Sequence, residues 1–129
     1  MLKTGILNPA LLSLLARVRH TNTLVITDRG FPYWPQLENV DLSLVDDLPT
    51  VMQVLAAIRP NFSIVKAFAA EKFRLNNSPE KFDALTSLLN PAPLVLEPFP
   101  EFKKRVPLAI GLIRTGDTTP FGNLIIESG

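Results

Sequence analysis

The chain has 129 residues, 47% of them hydrophobic and 19% charged, which suits one globular domain over residues 1–129 and leaves no room for a second. Thirteen Lys and Arg against twelve Asp and Glu leave a formal charge of +1, too small for the basic stripe that a nucleic-acid partner requires. The absence of cysteine rules out disulfide frameworks, thiolate nucleophiles and Cys-based zinc sites.

The predicted elements alternate. Asn8-Pro9 reads as a helix cap followed by the first helical residue, and Leu11, Leu12, Leu15 and Val18 then recur on one face until Arg19-His20 closes the segment. Thr23–Thr27 is a β-branched strand, Val40–Leu44 alternates as a second, and Pro49 opens a helix to about Ile58. Phe62–Ala70 is a mostly apolar strand of the kind buried on both faces. Ser78-Pro79 repeats the cap-plus-proline signal for a helix to about Leu89. Leu94–Glu97 follows as a strand and Pro100–Val106 as a short helix. Leu108–Arg114 and Asn123–Glu127 are strands joined by the loop 115–122. Strands alternating with helices predict an α/β fold, a three-layer α/β/α sandwich around one central sheet. The longest apolar stretches, such as Val106–Ile113, fall far short of the roughly 18 residues of a membrane span. Asn8 and Pro9 break the first apolar run, so neither a membrane partner nor a signal peptide is expected, and the expected address is cytoplasmic.

The chemical inventory is short. One histidine and no cysteine leave few ways to hold a transition metal, so no metal site is expected. Gly-x-Gly-x-x-Gly, Walker A and Gly-x-Ser-x-Gly patterns are all missing, which leaves acid/base chemistry and polar ligand binding. His20 is the side chain able to donate and accept protons near neutral pH, and a place at a helix C-terminus would favour its imidazolium. The competing reading makes it a cap on free carbonyls. Asp28-Arg29-Gly30 reads as a turn, yet Asp28 directly follows a strand, where ligands of open α/β sheets collect. Phe31, Tyr33 and Trp34 offer flat apolar faces to a ligand or simply pack a loop. Lys103-Lys104-Arg105 reads as a solvated helix face. Thr115–Asn123, rich in glycine and hydroxyls, is either a plain hairpin loop or a set of hydrogen-bonding groups for a polyol.

Several stretches together add a resemblance: Lys3-Thr4-Gly5-Ile6-Leu7-Asn8, His20-Thr21, Asp28-Arg29-Gly30-Phe31-Pro32, Asp41-Leu42-Ser43-Leu44, Pro49 to Leu55, Ala69-Ala70-Glu71 and Arg114 to Asn123. Over nearly its whole length the chain resembles the D-ribose pyranase and L-fucose mutarotase family (RbsD/FucU). The resemblance implies a mixed central sheet in an RbsD-like fold, and a cofactor-independent isomerase that interconverts ring forms and anomers of a free monosaccharide. It also implies ring-shaped homo-oligomers, a decamer here, with sites between neighbouring subunits. Carried over residue by residue, His20 matches the catalytic acid, Asp28 a sugar ligand, and Phe121, Gly122 and Asn123 the ligand segment. Phe121 stands where the family usually has tyrosine, and Phe99 where ribose-type members carry histidine; fucose-type members tend to have an aromatic there.

Mutarotation asks for one group to take the anomeric hydroxyl proton and another to protonate the ring oxygen, each worth about 10²- to 10⁴-fold. His20 is expected to be the acid, with Asp28 and Asn123 holding hydroxyls; Asp28 or a bound water takes the second proton. Eight residues separate His20 from Asp28, up to about 26 Å of extended chain, so each site is expected to draw on two subunits. The alternative from another class is a sugar-binding or assembly protein on the same fold, with Phe121 and Phe99 marking lost chemistry.

Overall fold

The computed structural model describes residues 1–129. The elements in chain order are α1 (Pro9–Ala16), β1 (Thr23–Thr27), β2 (Glu38–Asp41), α2 (Val51–Ile58), β3 (Ile64–Ala70), α3 (Glu71–Asn76), α4 (Pro79–Leu89), β4 (Leu94–Glu97), α5 (Phe99–Arg105), β5 (Gly111–Arg114) and β6 (Leu124–Ser128). Short 3₁₀ turns follow α2 and α5.

Local chemistry starts the helices where the sequence predicts. Asn8 Oδ1 accepts the Leu11 N–H at 2.9 Å, and Ser78 Oγ accepts the Lys81 N–H at 3.2 Å, each with proline in the first turn. Thr50 and Gln53 close a reciprocal capping box on α2, so that helix begins at Val51 rather than at Pro49.

Six strands form one sheet in the order β2-β5-β1-β6-β3-β4. β6 runs antiparallel to both neighbours, β1 and β3, while β1–β5, β2–β5 and β3–β4 pair in parallel. Five strands therefore point one way and β6 alone points back, the mixed sheet expected of the family.

Alternation along the central strands splits the core between two faces. Leu24 and Ile26 of β1, Ile113 of β5, and Leu124 and Ile126 of β6 pack with Leu11, Leu14, Val54, Leu55, Ile58, Phe73, Leu85 and Leu89 beneath α1 to α4. Val25, Leu112 and Ile125 turn the other way and meet Phe31, Phe102 and Val106 under α5. The helical layers are thus unequal, four helices on one side and one on the other. A register shift in the β3–β6 pairing lies between Ile64 and Lys66, so Ile64 and Ala67 share one face although three residues apart.

β3 starts at Ile64 rather than Phe62, α5 spans Phe99–Arg105 rather than Pro100–Val106, and β5 starts at Gly111 rather than Leu108, with larger departures elsewhere. α1 ends at Ala16, and Arg17 to Thr21 form the turn into β1. The second strand is Glu38–Asp41 rather than Val40–Leu44, because Asn39 pairs with Leu112 and the chain after Asp41 leaves the sheet. α3 was not expected; it starts after Ala70 with no side-chain cap.

Candidate functional site

The direction of the strands decides what can meet. β1, β4 and β5 share one carboxyl-end edge of the sheet, and the reversed strand β6 begins there. Asp28 follows β1, Phe99 lies just past β4, the loop 115–123 follows β5, and Asn123 precedes β6. Three separate segments converge on that edge, the place where open α/β sheets receive ligands.

A cleft of about 400 Å³ opens there, lined by Asp28 to Pro32, Phe99, Asp117 to Phe121, and Asn123. Of the residues the sequence singled out, Asp28, Phe99, Phe121 and Asn123 all line it. Gly122 lies behind, bordering a second cavity of about 230 Å³ on the α2–α4 side, and its N–H donates to the Thr119 carbonyl at 3.1 Å.

The cleft is held by its own polar groups. Asn123 Oδ1 accepts the Asp28 N–H at 2.8 Å, and the Asp28 carboxylate accepts the Gly30 N–H at 3.0 Å. Arg114, the last residue of β5, donates to the carbonyls of Asp28, Arg29 and Pro32 at 3.2 to 3.4 Å and so fixes the turn after β1. Asp117, 4% exposed, accepts the Val51 N–H at 2.9 Å on one oxygen and the Thr119 N–H at 2.8 Å on the other. Its backbone carbonyl accepts the Arg29 N–H at 3.0 Å. One buried residue therefore ties the start of α2, the loop 115–123 and the Asp28 turn together. Lys81 reaches the loop from α4 and donates to Thr119 Oγ1 at 2.9 Å.

Electrostatics single out Asp28. Burial pushes its carboxyl above the ordinary range, and the charge of Asp117 acts in the same direction. The N–H groups of Gly30 and Phe31 and the Asn123 side chain oppose that rise. Asp47, on the outer side of the loop, is held below its ordinary value by the amide and hydroxyl of Thr118.

The opposite wall is aromatic. Phe99 and Phe121 meet edge to face with centroids 5.6 Å apart, and Phe99 stacks on fully buried Phe102 at 6.2 Å. Phe121 has φ +53°, a left-handed conformation costly for a residue with a Cβ, and here it stands at the cleft. Gly116 is required on other grounds: a Cβ there would sit 2.3 Å from the Val45 carbonyl oxygen.

His20 is elsewhere. It is exposed in the turn before β1, at the other edge of the sheet from Asp28, with a five-residue strand of about 16 Å between them. Because α1 ends four residues earlier, the helix dipole does not act on it as the sequence suggested; that effect fades within the last turn. Phe31 lines the cleft, whereas Tyr33 is exposed and Trp34 packs under the sheet. Arg105 is not merely solvated: its guanidinium pairs with Glu97 at 2.6 and 3.1 Å and lies 3.8 Å from the Phe68 ring centroid. Among His, Cys, Asp and Glu side chains no group of three stands close enough to hold a metal, and no helix is long and apolar enough to cross a membrane.

The sequence reading offered Thr115–Asn123 as a segment without singling out Asp117 or Thr118, and gave Arg114 no part in the site. Thr-Gly-Asp-Thr-Thr carried the signal for Asp117, a carboxylate two residues before an N–H it can cap, but that pattern also describes an ordinary turn.

A family model described as the RbsD / FucU transport protein family matches residues 1–129. The D-ribose pyranase of Geobacillus kaustophilus (strain HTA426) is 36% identical over 129 residues, covering 100% of this chain and 94% of that protein. The D-ribose pyranase of Laribacter hongkongensis (strain HLHK9) is also 36% identical, covering 100% and 98%. Among solved structures, Bacillus subtilis RbsD complexed with D-ribose superposes with a TM-score of 0.92 at 33% identity, over 100% of this chain and 98% of that one. The fucose mutarotase of Streptococcus pneumoniae in complex with L-fucose shares the fold, with a TM-score of 0.80 at 16% identity over 95% and 92%.

Proposed function

We propose, on the premise that this chain belongs to the RbsD / FucU transport protein family, that it is a sugar pyranase or mutarotase acting on a ribose-type free monosaccharide. The observation that carries this reading is the convergence of Asp28, Phe99, Phe121 and Asn123 on one cleft at the carboxyl edge of the sheet. Full-length relatives named D-ribose pyranase, and a ribose-bound structure of the same fold at 33% identity, favour ribose over fucose.

In this reading the sugar lies between the polar wall, Asp28 and Asn123, and the aromatic wall, Phe99 and Phe121. Aromatic faces pack on the C–H surface of a sugar ring while carboxylate and amide groups take its hydroxyls. His20 supplies the proton that the ring oxygen gains as the C1–O5 bond breaks. The free aldehyde then turns and recloses to another ring size or anomer.

His20 cannot reach the cleft of its own chain across the length of β1. The site is therefore completed by His20 of a second copy, which requires a homo-oligomer in which the amino edge of one sheet faces the carboxyl edge of the next. Such head-to-tail contacts form a ring when the rotation from one copy to the next closes, as the decamer requires. The whole of residues 1–129 acts as one domain, and the substrate is a free sugar of the cytoplasm.

Magnetisation-exchange NMR on D-ribose tests the reading. Exchange between pyranose and furanose signals that accelerates with protein, and not with His20→Ala, is the expected result. Binding of ribose with no acceleration by the unsubstituted protein would leave a sugar-binding protein on this fold.

A further inference from the structure

Ring opening needs a base as well as an acid, and the chain offers few. Within the cleft the ionisable side chains are Asp28, Arg29 and Asp117. Arg29 is paired outward with Asp46 at 2.7 Å. Asp117 already accepts a backbone N–H on each carboxylate oxygen and is nearly inaccessible. Asp28 differs from both. Its carboxylate makes one hydrogen bond of good geometry, to the Gly30 N–H, out of about four acceptor positions that a carboxylate has.

Resting on the mutarotase reading, we propose that Asp28 is the second proton-transfer group, taking the anomeric hydroxyl proton, and that buried Asp117 is the positioning residue behind it. In ring opening the Asp28 carboxylate removes the proton from the C1 hydroxyl, the C1–O5 bond breaks as the C1 carbonyl forms, and the imidazolium of the neighbour's His20 protonates O5. In reclosure the newly attacking hydroxyl gives its proton to His20, and Asp28 returns its proton to the carbonyl oxygen. Both groups end as they began, so no external acid or oxidant is needed.

Asp117 contributes in two ways. Its carbonyl holds Arg29 and its side chain holds the loop 115–123, which together fix where Asp28 stands. Its negative charge opposes ionisation of Asp28 and so strengthens the base. The other charges nearby are committed elsewhere: Arg114 to the carbonyls of Asp28, Arg29 and Pro32, and Lys81 to Thr119. Lys72 and Lys103 lie over the Phe121 and Phe99 rings, 5.2 and 5.7 Å from their centroids.

The experiment measures D-ribose exchange and D-ribose binding across pH for the full chain, Asp28→Asn and Asp117→Asn. Asp28→Asn should lose about 10²-fold or more of the catalysed exchange, while ribose affinity changes by less than about tenfold, because the amide still meets hydroxyls. Asp117→Asn should keep measurable exchange but move the acid-side midpoint of the rate profile to lower pH. A role in folding alone would reduce the rate at every pH without moving that midpoint. Exchange retained in Asp28→Asn, or rate and affinity lost in equal proportion, overturns Asp28 as the base. An unmoved midpoint in Asp117→Asn overturns the role given to Asp117. If the unsubstituted protein accelerates no exchange, it is the mutarotase reading that fails.

Discussion

Asn123 anchors the main chain of Asp28: the amide oxygen of Asn123 accepts the Asp28 N–H at 2.8 Å across the β1–β6 boundary. That bond fixes the main chain from which the Asp28 carboxylate faces the cleft. Asn123→Ala removes that anchor and leaves a partly buried N–H without a partner, at a cost of about 1–3 kcal/mol of stability. Urea unfolding of the two proteins measures the difference, and a loss below about 0.5 kcal/mol would show the bond to be dispensable.

The separation of His20 and Asp28 along β1 makes a mixing experiment decisive. His20→Ala and Asp28→Asn proteins should each be inactive, yet regain exchange activity when unfolded together and reassembled. In a head-to-tail ring at equal mixing, about a quarter of the junctions carry both intact residues. No recovery, with mixed assemblies verified by mass spectrometry, would place both residues of a working site on one chain.

Phe121→Tyr adds one hydroxyl to the aromatic wall without changing the left-handed backbone that the position already adopts. The phenol gives the sugar a further hydrogen-bond partner, worth about 0.5–1.5 kcal/mol. A rise in kcat/KM for ribose of several-fold is expected, with thermal stability unchanged. Equal or lower kcat/KM would mean that the Phe99–Phe121 edge-to-face pair already sets the sugar's position.

Asp28 also gives stability a pH dependence with a definite sign. Burial raises its folded-state value above that of the unfolded chain, so the folded state binds the extra proton. Its contribution is fully present below the ordinary carboxylate value, is lost as pH climbs from there to the raised value, and is constant above. Unfolding free energies of the unsubstituted protein minus those of Asp28→Asn should fall across that window. A difference that rises with pH would show a carboxylate stabilised in its charged form.

The sequence made most of the fold readable because its punctuation is local. Asn8-Pro9 and Ser78-Pro79 act within one helical turn and open two of the helices; the Thr50 capping box, one residue after the proline that the sequence suggested, opens a third. α3 escaped because Ala70 provides no cap and Phe73 is its single buried residue. The end of α1 was misplaced since Val18, buried in the core, continues the apolar period after the helix has stopped. Asp28 could be named from its place after a strand and Asn123 from the family resemblance, but the site's second carboxylate could not be singled out. Asp117 owes its burial to an N–H donated by Val51, 66 residues away in the chain.

The reversed strand β6 joins β2-β5-β1 to β3-β4, and no other strand pairing links these two groups. On the ribosome both groups of strands emerge before Leu124–Ser128, and each waits with its inner edge unpaired, a surface open to pairing with other chains. The loop 115–123 that lines the cleft emerges just ahead of the strand that locks it. A nascent chain thus gains its sheet and its binding cleft in the same late step, and deletion of β6 should yield aggregates rather than a smaller folded protein.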